Sequence, residues 1–219
     1  MNIKYLYYQA FYLIILSLFL RPGILTAQGW NFEAFLDGEK IGTHSFKLDE
    51  NAGFKKLESK ADFKVKFLFI TAYSYKHRSD ESWHKNCLKE INSSTEEKGD
   101  RIFVKGVQSE SAFKIETGKE EKILPACIMT FAYWNPEMLN QTKLLNPQTG
   151  DWLDVDIAST EKEIINVKGV MVQAQKYKLT ATKMQIDLWY EIDPNTQLKQ
   201  WLALKSTTPE GYVIEYRLI

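Results

Sequence analysis

From residue 28 onward the apolar residues recur at every second position, and this alternation limits the fold more than any other feature. In Phe63-Lys64-Val65-Lys66-Phe67, continuing to Phe69, apolar and charged side chains take strict turns. A period of two belongs to extended backbone, because successive Cβ atoms of a strand point to opposite faces. The same alternation returns in Leu153, Val155 and Ile157, in Met184, Ile186, Leu188 and Tyr190, and in Tyr212, Ile214, Tyr216 and Leu218. Each segment therefore has one dry and one wet face. That is the pattern of antiparallel sheets, since strands of a parallel sheet covered on both sides read as unbroken apolar runs. Turn chemistry separates the segments at Asp37-Gly38, Asn51-Ala52-Gly53, Lys98-Gly99-Asp100, Gly118-Lys119, Lys168-Gly169, Asp193-Pro194-Asn195 and Pro209-Glu210-Gly211. Only Pro136-Glu137-Met138-Leu139-Asn140 reads as helical, with Pro136 at the first helical position and Asn135 as its cap.

These signals predict an all-β protein with one domain over residues 28–219. It is a single antiparallel meander of about ten to twelve strands, curled into a barrel-like or rolled sheet, because a long twisted sheet must close, roll or split. The terminal strands, around Trp30 to Leu36 and Tyr212 to Ile219, are expected at the sheet edges. Periodicity does not decide whether the interior is filled with side chains or hollow enough for a ligand.

Residues 1–27 contain Lys4 and Arg21, no acidic residue, and the apolar run from Phe11 to Leu20. That run is about ten residues long, where a membrane-spanning helix needs roughly 20. Arg21-Pro22-Gly23 breaks it, and Leu25-Thr26-Ala27 brings a small residue to a cleavage point. Residues 1–27 are thus expected to be a signal peptide, the mature protein to be periplasmic or secreted, and no transmembrane segment to remain after cleavage. Gln28 stands where a lipid-attached protein has cysteine. The chain has 28 basic and 28 acidic residues, so no basic field exists to hold a phosphate backbone and nucleic acid is not an expected partner.

Cys87 and Cys127 form an even pair in a chain read as exported, where a disulfide is the expectation. Closing a loop of about 40 residues would stabilise the fold by about 4 kcal/mol in the chain-entropy treatment. The histidines are His44, His77 and His84. On one strand the offset between His77 and His84 sends them to opposite faces, so all three are read as solvated strand residues and no metal site is expected. No nucleophile elbow and no glycine-rich phosphate loop occurs, hence no catalytic residue and no cofactor is assigned. Asp154 with Asp156, and Asp187 with Glu191, read as wet sides of strands.

One excursion differs in kind. Phe131-Ala132-Tyr133-Trp134-Asn135-Pro136 runs an aromatic cluster into a proline turn, and Leu144-Leu145-Asn146-Pro147-Gln148-Thr149-Gly150 follows with a second Asn-Pro pair. In one reading it is a plug, with Phe131 and Trp134 covering an open end of the sheet and Asn146 and Gly150 shaping the loop. In the other, Phe131, Tyr133, Trp134, Asn135 and Gln148 form a candidate ligand site of aromatic and amide groups at a pocket mouth.

Those two blocks, together with the opening Phe35-Leu36-Asp37-Gly38-Glu39-Lys40-Ile41-Gly42, resemble the exported bacterial group called domain-of-unknown-function family 6134, and more distantly family 3108. The resemblance spans nearly all of the mature chain. It implies a β-rich exported protein and brings no activity, cofactor or catalytic residue with it. Gly29-Trp30 lacks the intervening residue of the lipocalin Gly-x-Trp pattern. With 12 Phe, 11 Tyr and 6 Trp, the chain carries more aromatic surface than a filled core requires. The functional expectation is an exported envelope protein that is not an enzyme and binds a small apolar or amphipathic ligand. The alternative is a structural or assembly protein that binds an envelope protein through a sheet edge or surface patch.

Overall fold

In the computed structural model, which describes residues 26–67, 70–182, 184–208 and 211–219, the alternation becomes a sheet of fourteen strands. The signal-peptide expectation lies outside the described residues except for Thr26 and Ala27, which begin the first strand. The first eight strands are β1 (Thr26–Leu36), β2 (Glu39–Asn51), β3 (Phe54–Phe67), β4 (Ile70–His84), β5 (Cys87–Glu97), β6 (Asp100–Gln108), β7 (Ala112–Thr117) and β8 (Glu121–Pro125). After a 3-10 helix at Pro136–Asn140 come β9 (Lys143–Leu145), β10 (Trp152–Val167), β11 (Val170–Ala181), β12 (Met184–Ile192), β13 (Lys199–Thr207) and β14 (Val213–Leu218). The count exceeds the expected ten to twelve because β7, β8 and β9 hold only 6, 5 and 3 residues, too few for alternation to stand out from loop.

Sequential strands pair antiparallel from β1 to β8 and from β9 to β14, and β14 pairs with β1 in the register Phe32↔Leu218 to Leu36↔Ile214. The order is therefore β8 to β1 followed by β14 to β9. This corrects the expectation that the terminal strands are edges. They meet in the middle, and the short β8 and β9 are the edges. The sheet is not closed, because β8 and β9 are not paired with each other. Tight turns set the registers: Asp37-Gly38 and Lys98-Gly99 both have positive φ at both positions, the geometry of two-residue hairpins whose twist matches that of the strands.

Residues 126–150 fill the concave side. The segment leaves β8, is joined to β5 by the Cys87–Cys127 disulfide and by the Leu88 N–H donating to Ile128 O, and runs against β9 through Phe131 N to Leu145 O and Leu145 N to Met129 O. Met138, Leu144 and Leu145 are fully buried there. Asn135 caps the 3-10 helix, its Oδ1 accepting from Glu137 N at 3.2 Å, as the sequence predicts. The excursion's apolar residues share one buried cluster with Trp83, Leu88, Ile91, Phe113, Leu179, Leu188 and Tyr190 from strands of both halves, so the excursion joins the two halves of the meander into one apolar core. A second, smaller cluster of Ala34, Ile41, Ala61, Phe63 and Tyr75 lies toward the end of the sheet that carries the β1–β2 turn, called the upper end below.

Candidate functional site

The residues proposed for a pocket mouth take different places. Phe131, Trp134 and Asn135 are buried, Trp134 stacking edge-on against Trp83 at 5.4 Å between ring centroids. Tyr133 packs against Trp201 at 5.3 Å, and its carbonyl accepts from Tyr190 Oη at 2.7 Å. Gln148 has an exposed side chain, while its carbonyl accepts from Thr95 Oγ1 at 3.1 Å. The excursion thus packs as a plug, and of the proposed set Tyr133 and the Gln148 backbone reach the group of side chains described next.

Between the two apolar clusters runs a buried polar layer. Strand register builds it row by row. His44 faces Ala61, which faces His77, which faces Thr95. One row below, Phe46, Ser59, Ser79 and Ser93 are aligned in the same way. One row above, Tyr216, Ala34, Gly42, Phe63 and Tyr75 follow in order across five strands. All of these positions share the parity of the core residues on their strands, so their side chains point inward. His44 and His77 are 9% and 5% exposed, which corrects the reading of them as solvated. The sequence signal was present: His44 shares parity with Phe46 and Leu48, and His77 with Tyr75 and Trp83. His84 lies elsewhere, stacked on the exposed Phe54.

The hydrogen bonds of the layer are short. His44 Nε2 meets Ser59 Oγ at 2.8 Å, and His44 Nδ1 meets Tyr216 Oη at 3.0 Å. His77 Nδ1 meets Thr95 Oγ1 at 2.9 Å. Burial, helped by the nearby His77, lowers His44 to about 3, and burial lowers His77 to about 4, so both imidazoles are uncharged at neutral pH. Burial raises the hydroxyls of Tyr75, Tyr133 and Tyr216, and their proximity to one another adds to the rise for Tyr75 and Tyr216. Tyr133 and Tyr216 are partly buried and pack against the main core. The small residues Ala34 and Ala61 stand between the larger rings of this layer.

A second buried polar group sits lower on β4. Glu81 is 6% exposed; its Oε1 accepts from Ser79 Oγ at 3.0 Å, and its Oε2 accepts from Trp83 Nε1 at 3.0 Å and Thr130 Oγ1 at 3.3 Å. Burial outweighs these three donors and pushes the carboxyl up to about 7. On the outer face, a groove of about 600 Å³ runs over Lys60, Asp62, Lys76, Arg78, Glu96 and Arg101. Its charges are largely matched, Arg78 binding Glu58 and Asp80 and Arg101 binding Glu96. Asp154 pairs with Lys143 and Asp187 with Lys176. Among the described residues no three of His, Cys, Asp and Glu converge as metal ligands.

A family model described as a domain of unknown function, DUF6134, matches residues 32–219. No match was found among the curated proteins. Among solved structures the chain is similar to the crystal structure of a beta-barrel-like protein of a domain of unknown function, DUF1849, from Brucella abortus. The TM-score is 0.65 at 7% sequence identity, over 91% of this chain and 98% of the other, which is a likeness of fold.

Proposed function

Given that the chain belongs to the DUF6134 family, we propose that it is an exported binding module, not an enzyme, that holds a small amphipathic molecule inside the upper end of its sheet. The observation that carries this reading is the buried polar layer of His44, Ser59, His77 and Thr95, with the partly buried Tyr133 and Tyr216 beside it. Each polar group of this layer must be desolvated and then paired, a cost that a binding role would offset. Apolar parts of a ligand would rest against Ile41, Phe63 and Val65, and its polar end against the tyrosines and histidines. Native mass spectrometry of the mature protein, purified from its own envelope without detergent, tests the reading. The expected result is an extra non-covalent mass of a few hundred daltons that disappears in Tyr133→Ala with the circular dichroism spectrum unchanged. A bare polypeptide mass under the same conditions would refute it.

A second reading, assembly with an envelope protein, is favoured by one feature. Ile164, Val170 and Met171 at the tip of the β10–β11 hairpin are 66%, 63% and 63% exposed, and Leu198 in the β12–β13 turn at the same end is 71% exposed. Crosslinking from position 171 that repeatedly captured one envelope protein would support this reading over the first.

A further inference from the structure

Strand register sets the outward side chains of β2 to β6 in two rows. In one, Ser45 stands opposite Lys60, Lys60 opposite Arg78, Arg78 opposite Ser94, and Ser94 opposite Phe103. In the next, the order across the same strands is Thr43, Asp62, Lys76, Glu96 and Arg101. The two rows line the outer groove of about 600 Å³. Four strand spacings of about 4.8 Å make it about 19 Å long. Lys60 and Arg78 are like charges placed directly opposite, an arrangement that repels unless an anion is shared. Glu58 is that anion, 2.7 Å from Lys60 and 2.8 Å from Arg78. Asp80 accepts two more bonds from Arg78, at 2.9 and 3.1 Å, so the guanidinium is held in place before anything binds.

Lys76 differs from the other cations of the groove. Asp62 and Glu96 stand directly opposite it on either side, yet Glu96 binds Arg101 at 2.8 Å and Asp62 lies 3.9 Å from Lys64. Among the described residues no carboxylate comes within 4.0 Å of Lys76 Nζ, which acts on Glu96 only from a distance. One positive charge is thus left over midway along the groove. At the groove's end Phe103 is 46% exposed, and its neighbour on β5 is Ser94, too small to cover the ring.

We propose that this outer groove binds an acidic saccharide, with the carboxylate of the sugar at Lys76, its hydroxyls on the fixed ion pairs, and the C–H face of a ring against Phe103. A hydroxyl both donates and accepts, so a sugar can bond the guanidinium side and the carboxylate side of pairs that are already neutral. An apolar ligand would strip water from these charges and put nothing in its place. A polyanion would find a single unmatched cation. The site lies on the opposite face of the sheet from the interior ligand proposed above and does not depend on it.

The test titrates cellobiouronic acid, cellobiose and acetate into the 15N-labelled mature protein, read by backbone amide NMR. Both sugars are expected to move amides of the two rows, and the acid to bind about fivefold more tightly than cellobiose at low salt, as one exposed ion pair allows. Salt at about 0.5 M should shrink that preference. Lys76→Met should bring the two sugars to equal affinity and leave cellobiose binding as it was, whereas Phe103→Ala should weaken both several-fold. Both side chains are exposed, so either variant should keep the amide dispersion of the parent. Acetate binding in these rows as tightly as cellobiouronic acid would overturn the inference, and so would equal affinity of the two sugars in the parent, or no movement of these amides with either sugar. None of these outcomes bears on the interior ligand, which native mass spectrometry tests by itself.

Discussion

Replacing Glu81 by Gln should make the protein more stable above neutral pH, and the structure gives the size of the effect. The carboxyl lies inside the roll with its oxygens held by Ser79, Trp83 and Thr130, and burial raises it from 4.5 to about 7. Between these two values the native state keeps a proton that the unfolded chain has released, so stability falls as pH rises through this window. At about 1.4 kcal/mol per unit, the ionised carboxylate costs about 3 kcal/mol by pH 8 and under about 1 kcal/mol at pH 5. Glutamine fits the same bonds. Its Oε1 can accept from Trp83 and Thr130, and its amide can donate to Ser79 Oγ, which a hydroxyl can accept. Urea unfolding at intervals from pH 5 to pH 8 should therefore show the gap between Glu81→Gln and the parent widening by roughly 2–3 kcal/mol, with the same slope against denaturant. Taking the difference between the two proteins cancels the histidines. Parallel stability curves across that range would refute the assignment of Glu81 as a buried, reluctantly ionised acid.

Three further outcomes are expected. His44 and His77 are depressed to about 3 and about 4, so the parent should be fully supported by them above pH 6.5 and lose that support as pH falls toward 4; acid titration followed by tryptophan fluorescence should place the unfolding in that window, and a transition confined to below pH 3 would contradict it. Changing Cys87 and Cys127 to Ser together should lower stability by about 4 kcal/mol, because the loop they close holds β5 to β8 and the entry to the plug; urea midpoints with and without reductant check this in the parent. Gly42→Ala should cost several kcal/mol, on the order of 3, since an added Cβ would lie 1.9 Å from the Asp62 carbonyl oxygen and would force β2 off β3; loss of amide-exchange protection along that pair is the specific sign.

Much of the architecture was legible because it depends on neighbours in sequence. A period of two follows from the geometry of one extended strand, and a two-residue turn of aspartate or lysine before glycine follows from the backbone angles that those residues tolerate. The segments around Phe63, Val155, Ile186 and Tyr216 are all strands for that reason, and Pro136–Asn140 is helical because its cap and its proline are local. The same parity already set His44 beside Phe46 and His77 beside Tyr75, although a histidine on an alternating strand reads as solvated until the opposite face is known to be wet.

What the sequence by itself determined is therefore a single antiparallel meander with hairpin turns and one aromatic excursion. The tertiary structure decided three things. It paired β1 with β14, moving the edges to β8 and β9; it carried the excursion inside as a plug; and it brought Tyr75, Tyr133 and Tyr216 over His44 and His77. Each joins residues far apart in the chain, as His44 and Tyr216 are at 172 positions' separation, and a local pattern holds no information about which distant strands share a face. Parity shows that a side chain points inward. The neighbours it meets there depend on how the whole sheet curls, and those neighbours decide whether a histidine is solvated or sealed in a core.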